Sequence, residues 1–226
     1  MKYDNIRHGV FISRPNRFIA NVEIDGKTQV CHVKNTGRCK ELLTDRANVI
    51  LQEFNSPTRK TKFDLISVYK GDRLINMDSQ SPNKIFAEWA PISGIFGNIT
   101  LLRAETKFGS SRFDFYMESG DRKAFVEIKG VTLEDGGVVR FPDAPTERGV
   151  KHVRELMQCM NEGYDAYIVF IVQMKDVLYL EPNWDTHREF GEVLREAAEH
   201  GVKVLAMDCE VSEDTVIARD MVEVRL

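Results

Sequence analysis

Two acidic residues and a lysine, Asp114, Glu127 and Lys129, have the types and the spacing that indicate chemistry. They lie on two strand-like runs, residues 111–116 and 125–130, and a Ser-Gly-Asp sequence between them is typical of the turn in an antiparallel hairpin. Because side chains alternate along a strand, Glu127 and Lys129 must project from the same face. If the neighbouring strand brings Asp114 to that face, the repulsion between two close carboxylates favours a bound cation.

The cation that fits these residues is Mg²⁺, with Mn²⁺ as the alternative, because hard oxygen ligands suit it and its bound waters can act as nucleophiles. The arrangement resembles the PD-(D/E)XK nuclease motif, with Asp114, Glu127 and Lys129 at its three positions. Phe113 stands where the motif has a proline, which is not a metal ligand. The resemblance implies that both acids and the backbone carbonyl of Ile128 bind the metal, and that the lysine orients or deprotonates the attacking water. As a bare pattern, the same spacing also occurs in solvated hairpins.

Two further acids are candidates to complete the metal site. A helix is predicted over residues 83–90, and Glu88 lies one position from its buried stripe. In PD-(D/E)XK nucleases a helix before the core often supplies an acid near the metal, and Glu88 resembles that residue in placement. Glu105, on a strand-like run over residues 99–108, competes with it. The alternative for Glu88 is an exposed helix glutamate.

Length and composition are those of a globular protein: 226 residues, 42% hydrophobic and 29% charged, with a formal net charge of −4. No run approaches the roughly 20 apolar residues of a membrane span, and the N-terminus lacks the apolar core of a signal peptide. We therefore expect a cytoplasmic protein without a membrane partner. The four cysteines form no CxxC pair, which argues against a zinc site or a disulfide framework.

The first third of the chain is net basic, whereas the remainder is net acidic, and this asymmetry indicates two modules. Strand-like runs in the basic module lie at residues 18–33, 48–54, 62–69 and 73–77. Such a series of short strands in about 80 residues fits an OB-like barrel, a fold that binds nucleic-acid strands. The candidate phosphate contacts, with a merely solvated basic surface as the alternative, are Arg38 in the glycine-bearing turn at residues 35–38 and the loop cations Arg59, Lys60 and Lys62.

The acidic module follows a linker at residues 79–82 and alternates helices with strands. Beyond the hairpin, helices are predicted over residues 146–162 and 185–199, strands over residues 167–174 and 202–207, and an edge pair from residue 216. This order is that of a restriction-endonuclease-like core, a mixed sheet flanked by helices. The predicted fold class is α/β with a small N-terminal barrel, divided into an OB-like domain at residues 1–80 and a nuclease-like domain at residues 83–226.

The start of the helix over residues 146–162 is a further candidate phosphate site, because helix N-termini attract anions. Thr146 and Arg148 lie there, and His152 shares a helix face with Arg148. The alternative is a solvated face with an incidental histidine. We also assign Arg112, two residues before Asp114, to nucleic-acid binding.

Several segments together carry a family resemblance: Asn35-Thr36-Gly37, the runs from Lys107 to Phe115, from Val126 to Leu133 and from Phe141 to Gly149, and His152. On these segments the chain resembles the sugar fermentation stimulation protein A (SfsA) family nearly from end to end. The resemblance implies an N-terminal OB-like domain joined to a PD-(D/E)XK domain, DNA binding, and a link to the regulation of sugar (maltose) metabolism.

Two functional classes follow. In the first, the protein is a metal-dependent nuclease whose barrel holds the nucleic acid; in the second, it is a non-catalytic DNA-binding regulator of sugar metabolism genes. The retained acids and lysine favour the nuclease, because a scaffold has no need to keep mutually repelling carboxylates together. A helix-turn-helix is not recognisable, which counts against operator binding. We expect DNA rather than RNA as the partner, and the sequence leaves open the strand form and whether the protein is a homodimer.

Overall fold

The computed structural model of the protein describes residues 1–35 and 37–226, and strands make up much of that length. In chain order the strands are β1 (Ile6–Asn16), β2 (Ile19–Ile24), β3 (Lys27–Val33), β4 (Asn48–Glu53), β5 (Phe63–Lys70), β6 (Arg73–Asn76), β7 (Ile99–Phe108), β8 (Ser111–Ser119), β9 (Arg122–Val131), β10 (Leu133–Asp135), β11 (Val138–Phe141), β12 (Asp165–Val172), β13 (Tyr179–Pro182), β14 (Lys203–Val211), β15 (Val216–Met221) and β16 (Glu223–Val224). The helices are α1 (Ser81–Trp89), which a 3₁₀ turn at Ala90–Ile92 follows, α2 (Glu147–Asn161) and α3 (Arg188–His200). None of these helices is long and apolar enough to cross a membrane.

The first five strands close into a barrel. Their sheet has the order β3-β2-β1-β4-β5-β6, and a parallel pairing between β3 and β5 closes the five strands into a barrel. Alternation in β2 places Ala20, Val22 and Ile24 in the interior. The predicted hairpin is present, and its turn residues Asp25 and Gly26 both have positive φ, as a two-residue hairpin turn requires. The prediction of an OB-like barrel is therefore confirmed.

One barrel strand escaped prediction. Strand β1 contains Gly9 and Pro15 among charged residues, so its sequence lacks a clean alternation. In the fold it pairs with both β2 and β4, and its register shifts near Ser13. Tertiary pairing therefore decides its conformation. The predicted turn at residues 35–38 includes Thr36, which lies outside the described residues.

The second part of the chain is a mixed six-stranded sheet with helices on both faces, which confirms the predicted α/β class. Its strand order is β15-β14-β12-β9-β8-β7, and the central strand β12 runs parallel to both β9 and β14. Helix α1 packs Ile85 and Phe86 on one face, in a cluster with Val126 of β9. Helices α2 and α3 cover the other face, where Phe125 of β9 lies with Leu156 of α2. Helix α1 begins at Ser81, so it takes up part of the predicted linker.

A small second sheet was not predicted. It has the order β10-β11-β13-β16 and consists of strands of two to four residues. Runs this short carry no readable period, and tertiary contacts select them. The predicted edge pair at the C-terminus is divided: β15 pairs with β14 in the main sheet, whereas β16 joins β13 in the small sheet.

A buried polar network joins the barrel to the six-stranded sheet. The amide of Gln173, at the end of β12, donates to Asn76 Oδ1 at 2.8 Å, to the Asp78 carbonyl at 3.1 Å and to Ser81 Oγ at 3.0 Å. Asn76 in turn donates to the hydroxyl of Tyr3 at 3.0 Å. The five residues are at most 4% exposed, so each lost partner leaves a polar group without water.

This network predicts the effect of replacing Gln173 with Met, which keeps the shape but removes the donors. We expect the free energy of unfolding to fall by about 1–3 kcal/mol, because the buried polar groups around residue 173 lose the hydrogen bonds of its amide. Urea unfolding measures the change. Gln158→Met on the exposed side of α2 is the matched control and should stay within about 0.5 kcal/mol of wild type. Equal effects of the two substitutions would show that the network contributes nothing specific.

Candidate active site

Strands β8 and β9 separate beside Asp114, Glu127 and Lys129, the three residues to which the sequence motif pointed. Their antiparallel ladder runs from the Ser119–Arg122 pair to the Phe115–Val126 pair and ends there. Beyond it, β9 stays paired with β12 on its other side as far as Val131. The next backbone N–H of β9 that faces β8, that of Ile128, donates instead to Asp114 Oδ2 at 2.7 Å. The side chain of Asp114 thus takes the place of a strand partner.

An irregularity in β8 accompanies this separation. Phe113 packs near His152 on the α2 face of the sheet, whereas Phe115 packs on Phe86 of α1 on the opposite face. A regular strand would place two residues at this spacing on the same face. On the neighbouring strand β7, Glu105 lies between the partners of Phe113 and Phe115 and has a φ of 54°, which is uncommon for a residue other than glycine. Asp114 therefore lies where the strand changes face.

The carboxylate of Asp114 is half-buried and held from two sides. Its Oδ2 accepts the N–H of Ile128, and its Oδ1 accepts Asn83 Nδ2 from the start of α1 at 2.8 Å. Burial raises the pKa of Asp114, and the nearby charge of Glu127 raises it further. The two hydrogen bonds and Lys129 oppose that rise without cancelling it.

Glu127 is 3% exposed and carries its charge inside the protein. Its Oε1 accepts hydrogen bonds from Lys129 Nζ and from His152 Nδ1, the latter at 2.5 Å. Burial alone would raise the pKa of Glu127, but Lys129 and His152 outweigh that effect, so the pKa is lowered. The contact with Lys129 confirms that the two side chains share a face. The second oxygen, Oε2, is buried and has no hydrogen-bond partner.

His152 positions Glu127 from helix α2. Arg148 Nε donates to His152 Nε2 at 3.4 Å, which leaves the ring proton on Nδ1 to donate to Glu127. Thr146 caps the same helix by accepting the N–H of Gly149 at 3.1 Å. The sequence assigned all three to nucleic-acid binding. His152 is 4% exposed, so the alternative of a solvated face is wrong for this residue, and its contact is with a carboxylate.

The oxygens around Asp114 and Glu127 suit a hard divalent cation. Glu127 Oε2 is a buried oxygen of an ionised carboxylate and has no hydrogen-bond donor, so it is available as a metal ligand. The charge of Glu127 lies near enough to Asp114 to raise the pKa of Asp114. Ile128 contacts Asp114 through its N–H; the sequence had proposed its carbonyl as a ligand.

The two further acids have other partners. The carboxylate of Glu88 is 62% exposed and binds the amino group of Met1 at 2.5 Å. Glu105 is 63% exposed and lies 3.7 Å from a guanidinium nitrogen of Arg112. Because both carboxylates have partners elsewhere, we leave Glu88 and Glu105 out of the proposed metal site. The sequence could not place Glu88, because its partner is the chain terminus 87 residues away.

Among the predicted phosphate contacts, some cations have internal partners. Arg59 pairs with the buried carboxylate of Asp64 and lies over the ring of Phe54, and Lys62 lies 2.5 Å from Glu53. These acids belong to neighbouring strands, which a linear reading of the loop cannot show. The exposed side chains are those of Arg38, Lys60, Lys62, Arg112 and Arg148. Phosphate contact remains a prediction for all of them.

Within residues 1–35 and 37–226, one group of three possible metal ligands has all its ligand atoms within 4.8 Å of one another: Glu147, His187 and Glu189. The N–H of Thr146 donates to His187 Nδ1 at 3.2 Å, so the ring proton resides on Nε2, which faces the two carboxylates. A protonated nitrogen cannot bind a metal. This cluster is therefore better described as a hydrogen-bonded junction between α2 and α3.

One contributor to the site, Asn83, was missed, and so was the burial of Glu155 on the helix that carries His152. Asn83 orients Asp114, and Glu155 lies buried on α2, where its Oε1 accepts Ser110 Oγ at 2.9 Å and its Oε2 has no partner. The only signal for Asn83 was its place at the start of a predicted helix. For Glu155 it was the shared helix face with Arg148 and His152, which the sequence could not distinguish from a solvated one.

Comparison with known proteins agrees with this architecture. The fold defines a class in which a closed OB barrel precedes an α/β domain with acids at a strand separation. Two family models match the chain: "SfsA N-terminal OB domain" over residues 12–77 and "Sugar fermentation stimulation protein RE domain" over residues 80–215. The chain belongs to the sugar fermentation stimulation protein (SfsA) family, as the sequence predicted.

Relatives match over the full length. A sugar fermentation stimulation protein homolog from Clostridium beijerinckii is 59% identical, with 100% of both chains covered. Another from Desulfitobacterium hafniense strain Y51 is 62% identical and covers 100% of this chain and 99% of its own. The solved structure of Pyrococcus furiosus SfsA in complex with Ca²⁺ has a TM-score of 0.89 at 26% identity, with 100% of this chain and 98% of that chain covered.

The two acids should affect stability with opposite pH dependence. The pKa of Asp114 is raised above its ordinary 3.8, so ionisation lowers the free energy of unfolding as the pH rises from that value through the folded pKa. The pKa of Glu127 is lowered below its ordinary 4.5, so it contributes stability that is lost as the pH falls through the folded pKa.

We therefore expect the stability of Asp114→Asn to increase relative to wild type as the pH rises from about 3 to 7. The stability of Glu127→Gln should decrease relative to wild type over the same range. Urea unfolding in EDTA across this range measures both differences. Variants whose stability differences from wild type do not change with pH, or change in the same direction, would contradict the assignment.

Proposed function

We propose that the protein is a Mg²⁺- or Mn²⁺-dependent nuclease that hydrolyses phosphodiester bonds in DNA. The observation that carries the proposal is Glu127 Oε2, a buried and unpartnered oxygen of an ionised carboxylate beside a second acid. An acceptor oxygen that is buried without a hydrogen bond costs folding free energy, which functional sites commonly tolerate. The Ca²⁺ complex of the Pyrococcus furiosus relative supports the use of a divalent ion.

Asp114 and Glu127 would hold the ion, which supplies Lewis-acid charge for the phosphate and lowers the pKa of a bound water. Asn83 and the N–H of Ile128 fix the carboxylate of Asp114, and His152 fixes that of Glu127. Lys129 is 14% exposed and orients the attacking water while its charge stabilises the developing negative charge on phosphate.

The proposal of DNA as the substrate rests on the barrel. OB folds bind nucleic-acid strands, and this barrel belongs to the basic part of the chain, whereas the acids lie in the acidic part. The two parts of the chain thus have charges that suit different roles. Cations of the barrel would bind the backbone of the substrate, and carboxylates of the second part would bind the metal. The alternative, a non-catalytic DNA-binding regulator, would use the same barrel without cleavage.

Metal binding predicts ion-dependent thermal stabilisation. Divalent ion at about 100 times its dissociation constant should add about 2.7 kcal/mol to the free energy of unfolding of wild type relative to EDTA. Asp114→Asn and Glu127→Gln should lose most of this increment. Glu88→Gln, whose carboxylate pairs with Met1, is the control and should retain it. Differential scanning calorimetry with Mg²⁺, Mn²⁺ and Ca²⁺ measures the effect, and a full increment in Asp114→Asn would place the ion elsewhere.

Catalysis predicts a different pattern for the lysine. Lys129→Ala leaves both carboxylates in place and removes the group that acts on the water, so metal-dependent cleavage should fall by at least about 10²-fold while DNA binding changes little. Lys123→Ala, an exposed lysine on the same strand, is the matched control and should cleave as wild type does.

The assay compares single-stranded, double-stranded and branched DNA, and RNA, with Mg²⁺ and Mn²⁺. Cleavage that persists equally in Lys129→Ala would indicate a contaminant. A wild type that binds DNA and cleaves none of these substrates would favour the regulator over the nuclease.

A further inference from the structure

A basic cleft of about 450 Å³ opens on the barrel, lined among others by Arg14, Arg17, Arg38, Lys40, Leu43 and Ala144. We call it the barrel cleft. Arg14 organises it by donating to the backbone carbonyls of Arg38 at 2.7 Å, Arg17 at 2.9 Å and Asn35 at 2.6 Å. These acceptors are neutral, so the guanidinium keeps its charge while it fixes the segments that carry the other cations.

Positive charge prevails in the barrel cleft. Arg17, Arg38 and Lys40 are exposed, and within the part of the chain that the structure describes none of them lies within 4.0 Å of a carboxylate oxygen. The nearby acids are Asp143, against Gly37, and Glu41. Four cations therefore face two carboxylates, and the surplus attracts a polyanion.

An exposed aromatic residue lies next to Arg17 in the chain. Phe18 follows Arg17 in the turn between β1 and β2 and is 50% exposed, the one aromatic side chain in the exposed class among the described residues. Its N–H donates to Asn16 Oδ1 at 2.9 Å, and its carbonyl accepts the N–H of Val33 at 2.8 Å. The backbone is thus fixed while the ring stays open to solvent, as in aromatic platforms on which unpaired bases stack.

The barrel cleft borders the loop that precedes α2. Ala144 of that loop lines the cleft, and Asp143 of the same loop packs against Gly37 of the barrel. A separate, smaller pocket of about 110 Å³ is lined by Asn35, Asp143 and Gly130 among others. Gly130 follows Lys129 directly in the chain. Asn35 and Asp143 are therefore neighbours both of barrel-cleft residues and of strand β9, on which Gly130 and Lys129 project from opposite faces.

We propose that the barrel cleft binds single-stranded DNA, with Arg17, Arg38 and Lys40 on its phosphates and Phe18 stacked on a base. In a duplex the bases are paired and stacked on one another, so their faces are not available to Phe18. Single strands, or the unpaired arm of a branched substrate, offer both a phosphate backbone and free base faces. The choice of DNA as the ligand rests on the proposed function, whereas the binding itself requires no metal.

The test measures binding in EDTA by fluorescence anisotropy, with 5′-fluorescein oligo(dT) of 15 nucleotides and a blunt 15-base-pair duplex as probes. Phe18→Ala should weaken binding of the single strand by roughly 5- to 150-fold, the range for loss of one base–aromatic stack. Phe18→Leu, which keeps an apolar side chain without a ring, should weaken it similarly. Val30→Ala removes another exposed apolar side chain of the barrel and is the matched control.

The cations are tested by the salt dependence. Arg38→Gln with Lys40→Gln should reduce the slope of log K against log salt concentration by about 0.7 for each lost phosphate contact. Lys27→Gln, an exposed barrel cation that does not line the barrel cleft, is the control and should leave the slope unchanged.

Equal loss of duplex and single-strand binding in Phe18→Ala, or no loss in either, would overturn the proposal, as would equal affinity of wild type for oligo(U). Circular dichroism confirms that each variant is folded. Because EDTA prevents cleavage, the two proposals can fail separately. A wild type that binds oligo(dT) through Phe18 but cleaves no DNA would refute only the nuclease, whereas cleavage with an insensitive Phe18→Ala would refute only the barrel cleft.

Discussion

The hydrogen bond from the N–H of Ile128 to the carboxylate of Asp114 is the interaction on which the site depends. Two strands that part inside a sheet leave backbone donors without partners, and a buried orphan N–H costs about 1–3 kcal/mol. Asp114 satisfies that donor with a side chain, so β8 can leave β9 and the sheet remains intact. The same bond fixes a carboxylate beside Glu127, which the regular ladder could not have done. This single hydrogen bond therefore both satisfies a backbone donor and positions an acidic residue.

The two acids carry their charge under different conditions. Glu127 is buried but ionised, because Lys129 and His152 both donate to it, whereas burial and the charge of Glu127 work against ionisation of Asp114. In such a site the two carboxylates repel each other, and a bound cation would relieve that repulsion. His152 reaches Glu127 from α2, and Asn83 reaches Asp114 from α1, so helices on opposite faces of the sheet hold the pair.

The barrel is joined to this site by contacts that leave little freedom between the two modules. Gln173 connects β12 to the end of β6 through Asn76, and a Cβ on Gly130 would meet Gln173 and Pro82. On the other side, Gly37 of the barrel lies against Asp143. The basic surface and the acids are thus held in one arrangement, as a substrate that spans both would require.

The sequence by itself determined the features that follow from local period and turn chemistry. Alternation placed Glu127 and Lys129 on one face, Asp25-Gly26 marked a hairpin, and the apolar run of β12 marked a central strand. Only the tertiary structure decided which distant groups meet: His152 with Glu127, Asn83 with Asp114, Arg59 with Asp64 and Glu88 with the amino group of Met1. The reason is physical. A period of two or 3.6 residues fixes the face on which a side chain lies, but the partner across that face is set by how strands and helices pack, and no local pattern records that packing.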